Sequence, residues 1–256
     1  MNIIGGGNVA FQLARSFFSK GYTISGIYNR TPKKAVQIAK LVDSAGVNSI
    51  SELSPESIMI LAISDDGIEK VGQMIYQEFG SKVNLLHTSG VHDTEILPSQ
   101  VENKGVLWPV QSITREDHFT FDQIPLCINA SNPKFLDTVK SMANDISNCV
   151  YHLDGQRKEI AHLAAVFANN FSNHLYHIAE KICDENQIDF EILKPLIINS
   201  TQKLTKESPK NLQTGPARRG DFDTIEKHLN LIDSKKLKHL YFLISESIIN
   251  TYHENS

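Results

Sequence analysis

Residues Gly5-Gly6-Gly7-Asn8-Val9-Ala10 follow directly on the apolar pair Ile3-Ile4 and fit the pattern G-x-G-x-x-A. Few short stretches restrict a fold more. Gly5 permits a sharp turn out of a strand, Gly7 lets the backbone approach a diphosphate, and Ala10 lets the next helix pack tightly on the sheet. Val9, Leu13 and Phe17 then fall on one stripe of that helix. Its free N–H groups and the positive end of its dipole face the turn, where an anion belongs, with Asn8 and Val9 beside it. Lys20-Gly21 closes the helix, and Tyr22 to Tyr28 reads as a second strand. Its tip, Asn29-Arg30-Thr31, begins 24 residues after Gly5, where a dinucleotide's ribose is read. Glycine turns of this kind also serve purely structural ends, but a complete strand-helix-strand unit with polar tip residues favours a dinucleotide. Only Asn2, Ile3 and Ile4 precede the turn. That is short of the usual strand of about five residues, so the strand is clipped or the true start lies upstream.

The same tip selects the cofactor. An acidic residue would accept hydrogen bonds from a free ribose 2′-hydroxyl, whereas Asn29 lacks that charge, and Arg30 with the Thr31 hydroxyl offers donors to a 2′-phosphate. NADP (NADPH) is therefore expected rather than NAD.

With 41% hydrophobic and 21% charged residues in 256, the chain has material for one large or two modest cores. A net charge of −4 carries no broad basic footprint, so neither nucleic acid nor an acidic membrane is an expected partner. Cys127, Cys149 and Cys183 are odd in number and set in apolar segments, as reduced buried thiols are; no disulfide and no metal site are expected. No apolar run reaches transmembrane length and no secretory or lipidation signal is present, which gives a cytoplasmic address.

After Thr31 the chain alternates. Pro32 to about Val42 reads as a helix, Ile58 to Ile63 as a buried parallel strand, and Ile68 to Phe79 as a helix entered through Ser64-Asp65-Asp66-Gly67. The aspartates most simply cap that helix, and Ser64 falls on the cofactor rim. Val83 to Leu86 is a strand running into His87-Thr88-Ser89-Gly90, so His87 and Ser89 can face the nicotinamide or substrate, unless His87 is satisfied by backbone. Gly105 to Ser112 reads as another strand, with Trp108 and Pro109 as a rigid wall. Leu126 to Asn129 and Cys149 to His152 are the last two strands, with a helix over Pro133 to Ile146 between them. Residues 1–153 thus make an α/β domain on a doubly wound, mostly parallel sheet.

From Asp154 the character changes. One helical stripe runs through Ile160, Leu163, Val166, Phe167, Leu175, Ile178, Ala179 and Ile182, as in a helix of about thirty residues. Further helices are expected at Phe190 to Lys206, Phe222 to Leu231 and Ser234 to Tyr252, so residues 154–256 form an all-helical domain. Lys158, His162, Asn169 and Asn170 make a polar strip on the long helix, which is either water-facing or part of a site. His162 has apolar neighbours, and histidine is the side-chain type that exchanges protons near neutrality. Between the later helices lies Thr214-Gly215-Pro216-Ala217-Arg218-Arg219-Gly220-Asp221. Asp221 reads as a helix cap, while Arg218 and Arg219 form a clamp for a carboxylate or phosphate.

These residues carry a resemblance. The amino-terminal half resembles the NADP-binding domain, of the Rossmann type, shared by pyrroline-5-carboxylate reductase, the F420-dependent NADP reductases and the 6-phosphogluconate dehydrogenase superfamily. Lys158 with His162 to Phe171, Lys194-Pro195-Leu196-Ile197, Thr214 to Asp221 and His228-Leu229 resemble proteins joining such a domain to a DUF2520 domain, labelled as candidate NADP oxidoreductases. The resemblance spans nearly the whole chain, and its most specific part is T-G-P-x-x-R-G-D. It implies that residues 154–256 are an all-helical dimerisation and substrate domain, with hydride transfer at the domain junction. A homodimer is expected as well, because a helix of about thirty residues spans roughly 45 Å, longer than one small domain covers, and its apolar stripe needs a partner. Hydroxyacid dehydrogenases of that superfamily place a catalytic lysine four residues before an asparagine on the long helix; here Val166 stands four before Asn170. The expected activity is hydride transfer between NADPH and a small anionic carbonyl or imine compound. His162 would donate the proton, with Lys158 in reserve, Asn170 orienting the substrate and Arg218 or Arg219 holding its carboxylate. The alternative is a sensor or structural protein that binds NADP without turnover.

Overall fold

The computed structural model describes residues 1–115 and 120–253. The chain divides into two compact units, Met1–His174 and Leu175–Ser256.

The first unit is built on one eight-stranded sheet. Its strands are β1 (Asn2–Ile4), β2 (Gly26–Tyr28), β3 (Gly46–Val47), β4 (Met59–Leu61), β5 (Asn84–His87), β6 (Asn103–Pro109), β7 (Leu126–Ala130) and β8 (Val150–His152), in the order β3-β2-β1-β4-β5-β6-β7-β8. Every neighbouring pair is parallel except β6 with β7. The order reverses between β1 and β4, and in a doubly wound sheet the ligand crevice opens at that point. The α/β class and the mostly parallel sheet are as the sequence predicts.

Strand alternation explains the layers. Ile3, Ile60 and Leu86 point to one face and pack with Leu13 and Phe17 of α1 (Asn8–Ser19), Ile38 of α2 (Pro32–Ala39) and Val139 of α4 (Pro133–Ile146). Their neighbours Ile4, Met59, Leu61 and Leu85 point the other way, onto Ile68 and Ile75 of α3 (Asp65–Phe79). Both faces are covered, so the middles of the central strands, Ile3-Ile4, Met59-Ile60-Leu61 and Leu85-Leu86, are continuously apolar. A third cluster joins Val106, Trp108 and Cys127 to Leu153 and to Ala161 of α5 (Gly155–Ala165). Sequence character changes near residue 153, yet the compact units divide after His174, because α5 packs on β6 and β7.

Several boundaries differ from the sequence expectation. β2 begins at Gly26 rather than Tyr22, because Tyr22 turns aside to stack edge-on against Phe17, 5.2 Å between ring centres, and its hydroxyl binds Asp145. Ser64, not an aspartate, is the N-cap of α3; Asp65 and Asp66 occupy its first turn, where the helix dipole favours them. The long helical run continues from α5 through a π-helical turn, Val166–Phe171, into α6 (Ser172–Glu185).

The second unit contains most of α6 and then α7 (Lys194–Lys203), α8 (Pro209–Leu212), α9 (Pro216–Arg219), α10 (Phe222–Leu231) and α11 (Lys235–His253). It is all-helical among the described residues. Its interior is thin: Cys183, Ala217, Ile225 and Ser245 are buried, while Leu196, Phe222 and Leu231 lie 63%, 63% and 81% exposed. No described helix is long and apolar enough to cross a membrane.

Candidate functional site

The glycine turn shows why each glycine is there. Gly5 has φ +146°, its N–H donates to the Tyr28 carbonyl at 2.8 Å, and a Cβ on it would meet the Ala62 carbonyl oxygen at 2.1 Å. At Gly7 a Cβ would meet nothing within 4 Å. Gly7 is the N-cap of α1, with no side-chain cap and no acid in the first turn, so the helix presents uncapped N–H donors to open space. Ala10 is fully buried against the sheet. A cleft of about 740 Å³ runs from this turn past Asn8, Val9, Asn29, Arg30 and Lys34 to Ser64, Asp65, Thr88, Ser89 and Gly90. An uncapped helix end, a side-chain-free turn and cations at the β2 tip are what a dinucleotide phosphate needs.

At that tip, the Asn29 side-chain amide donates to the Thr31 carbonyl at 3.0 Å and folds the turn into α2. Thr31 is the N-cap of α2 and lies outside the cleft wall, whereas Arg30 and Lys34 form part of it. Lys34 lies three residues beyond the N-cap, in the first turn of α2, a position that the glycine pattern does not mark.

The segment after β5 is built from the inside. His87 is buried; its Nδ1 accepts from the Ser89 backbone N–H at 3.2 Å, so Nε2 carries the hydrogen and donates to the Asp93 carbonyl at 3.1 Å. Burial pushes its pKa down to about 4, with the Lys158 cation adding to the effect and the Asp93 carbonyl opposing it. His87 is thus a neutral strut whose two ring nitrogens are both committed to backbone, and not a group that reaches a ligand. Ser89 lies in the cleft wall, but its Oγ accepts from Val91 and His92 N–H groups, both at 3.1 Å.

Lys158 is fully buried beneath the same loop. Its Nζ donates to the Gly90 carbonyl at 2.8 Å and lies 5.7 Å from the Trp108 ring centre. Burial lowers its pKa and Asp93 partly restores it. In this position it bolts α5 to the loop after β5. One turn further along α5, His162 takes up the side of Gly90: a Cβ there would lie 2.5 Å from His162 Cδ2 and 2.8 Å from the Trp108 ring. The imidazole and indole centres are 5.7 Å apart.

Beyond His162 is a second cavity of about 530 Å³, lined by Trp108, Gln111, Ser112, His162, Asn169, Asn170 and a row of alanines on the helix. The Asn169 amide donates to Ser112 Oγ at 2.8 Å. Regular α-helical geometry would carry Asn170 about 80° past His162 over eight residues. The wider π-helical turn slows that rotation, and π-turns of this kind often mark functional positions. His162, Asn169 and Asn170 therefore come together against Trp108, the wall that the sequence predicts, and are joined by Gln111, Ser112 and Gly90, whose roles depend on close contacts that no spacing reveals.

In the second unit, Asp221 caps α10 through its Oδ1, which accepts from Thr224 N–H at 3.1 Å. The Arg218 guanidinium lies 4.3 Å from the Tyr252 ring centre, and its carbonyl pairs with His253 Nε2 at 3.0 Å. Arg219 is mostly exposed, with Asp221 at 3.9 Å.

Residues 1–83 match the family described as NADP oxidoreductase, coenzyme F420-dependent, and residues 124–248 match the domain of unknown function DUF2520. Among solved structures, a candidate NADP oxidoreductase from Bacteroides fragilis is 32% identical, with 97% of each chain covered and a TM-score of 0.88. An imine reductase from Myxococcus stipitatus in complex with NADP+ has the same fold, at 13% identity over 99% of this chain and 92% of that one, TM-score 0.64. So does a reductive aminase from Aspergillus terreus in complex with NADPH and ethyl-5-oxohexanoate, at 13% identity over 90% and 76%, TM-score 0.63. No protein with a curated description matches the sequence.

Proposed function

This chain belongs to the NADP oxidoreductase family that joins a nucleotide-binding domain to a DUF2520 domain, and on that premise we propose an NADPH-dependent reductase of small anionic carbonyl or imine compounds. The observation that carries this reading is the packing of His162 on Gly90. Gly90 forms part of the dinucleotide cleft wall, and His162 forms part of the wall of the second cavity. A proton donor thus stands where a nucleotide cleft and a substrate-sized cavity adjoin.

Bound NADPH supplies the hydride. The chain supplies the rest. Reduction of C=O or C=N places negative charge on the heteroatom or needs its prior protonation, so an acid must stand close. His162 is assigned that proton. Trp108 and the alanine row Ala161, Ala164, Ala165 and Ala168 keep water away from the reacting atoms, while Asn169, Asn170 and Ser112 offer hydrogen bonds that orient the substrate. Among the described residues lining this cavity there is no acid, lysine or arginine. Within the helical unit, Arg218 and Arg219 remain the candidates for an anionic group, because their planar forks suit a carboxylate. Family membership and fold neighbours in complex with NADP+ and NADPH, one an imine reductase and one a reductive aminase, support the reaction class.

NADPH oxidation against a panel of oxo acids, their amides and cyclic imines tests the reading. Turnover should favour the acids over their amides. With a substrate in hand, His162→Ala should leave NADPH binding intact and lower turnover by about 10²–10⁴, the usual worth of a general acid. Turnover within about threefold of the parent would remove His162 from the mechanism. Tight NADPH binding with no turnover on any compound would leave a non-catalytic NADP binder.

A further inference from the structure

Beyond β6 the chain crosses back over the glycine turn, and side-chain bonds in both directions hold it there. Asn8 Nδ2 donates to the Ile113 carbonyl at 3.0 Å and Gln12 Nε2 to the Thr114 carbonyl at 3.1 Å. In the other direction, an Arg115 guanidinium N–H donates to the Gly6 carbonyl at 2.8 Å. The same guanidinium lies 5.5 Å from the ring centre of Phe11. Asn8, Phe11 and Gln12 are spaced i, i+3 and i+4, so one side of the first turns of α1 faces this strap. Ile113 is itself part of the dinucleotide cleft wall.

The result is a cation held on Gly6, one residue from the uncapped helix donors at Gly7; Gly6 lines the cleft, and Arg115 stands behind it without forming part of the wall. The turn itself, Gly5 to Gln12, contains no lysine or arginine. Backbone N–H groups and the helix dipole bring only partial positive charge, whereas a diphosphate brings about two full negative charges. A single bond to a neutral carbonyl also makes little use of arginine: glutamine would supply it, while the guanidinium carries five N–H donors in a planar fork matched to phosphate.

We propose that Arg115 is a cofactor-binding residue, whose guanidinium takes the diphosphate of the dinucleotide while the strap Ile113–Arg115 covers the turn. This rests on the reading of the cleft as a dinucleotide site and adds to it a residue that the G-x-G-x-x-A pattern does not contain.

Isothermal titration calorimetry on the parent, Arg115→Ala and Arg115→Gln tests it with three ligands: NADPH, 2′-phospho-ADP-ribose, and 2′-AMP, which lacks the diphosphate. Both variants should bind the first two about tenfold to a hundredfold more weakly, the usual worth of a hydrogen bond to a charged group, and should hold 2′-AMP within about threefold. Glutamine can keep the bond to the Gly6 carbonyl without the charge, so Arg115→Gln binding NADPH within about threefold of the parent would overturn the proposal. An equal loss for all three ligands would also overturn it, by assigning Arg115 to the shape of the turn. If the parent binds none of them, the dinucleotide reading falls and Arg115 with it; a binding parent with unaffected variants overturns Arg115 alone.

Discussion

Arg30 stands at the carboxyl end of β2 in the cleft wall, and Lys34 follows on α2, close enough that a Cβ on Gly6 would meet its Cβ at 2.8 Å. Two cations at the ribose end of a cleft suit a 2′-phosphate and offer a free 2′-hydroxyl no carboxylate. NADPH is therefore expected to bind more tightly than NADH. Arg30→Ala should cost about 1.5–3 kcal/mol of that preference, roughly tenfold to a hundredfold in affinity. Fluorescence titration with both nucleotides measures it; equal affinities in the parent would contradict the assignment. The sequence names Arg30 because the tip of the second strand is a fixed place in such folds. Gly90 acquires its part only from the contacts around His162.

The loop between β5 and Asp93 depends on a histidine kept neutral. In the unfolded chain His87 takes up a proton near pH 6.5, but in the fold its pKa lies at about 4. Between those values the unfolded state binds more protons, so stability is complete above about pH 6.5 and is lost as pH falls toward 4, by up to about 3 kcal/mol. Thermal midpoints should drop over that interval, and in His87→Gln, which can hydrogen-bond but not titrate there, this part of the slope should vanish. A parent curve flat from pH 6.5 to 4 would refute the burial argument. Helix geometry matters at the same scale. The π-turn Val166–Phe171 re-aims Asn170, so a strip counted with α-helical periodicity names the correct residues without showing that they share a cavity with His162.

For the molecule as a whole, surface chemistry argues for self-association. In the first unit Ile160, Leu163, Phe167 and Phe171 are each at least half exposed along one helical run, with the two phenylalanine rings 4.9 Å apart. The helical unit leaves Leu196, Ile198, Leu231 and Phe242 in solvent as well. Exposed apolar surface on this scale marks an interface, and closed twofold dimers are the commonest way to cover one. Light scattering should report close to twice the chain mass. Leu163→Asp with Phe167→Asp should shift the protein toward monomer; a parent monomeric at micromolar concentration would exclude the dimer.

What could be read from residues alone was whatever local geometry dictates. The glycine turn, the short buried strands, the helix over Pro133–Ile146 and the all-helical second half each announce themselves within a few residues, because period and punctuation are local properties. Tertiary structure decided which polar groups are free to act. His87 and Lys158 look like candidates for chemistry in sequence, yet both are buried and committed to backbone carbonyls, His87 to that of Asp93 and Lys158 to that of Gly90. Arg115, unremarkable in sequence, lies against a turn 109 positions away. Burial and long-range contact depend on where distant segments meet, and a buried polar group must take the partner that meeting provides.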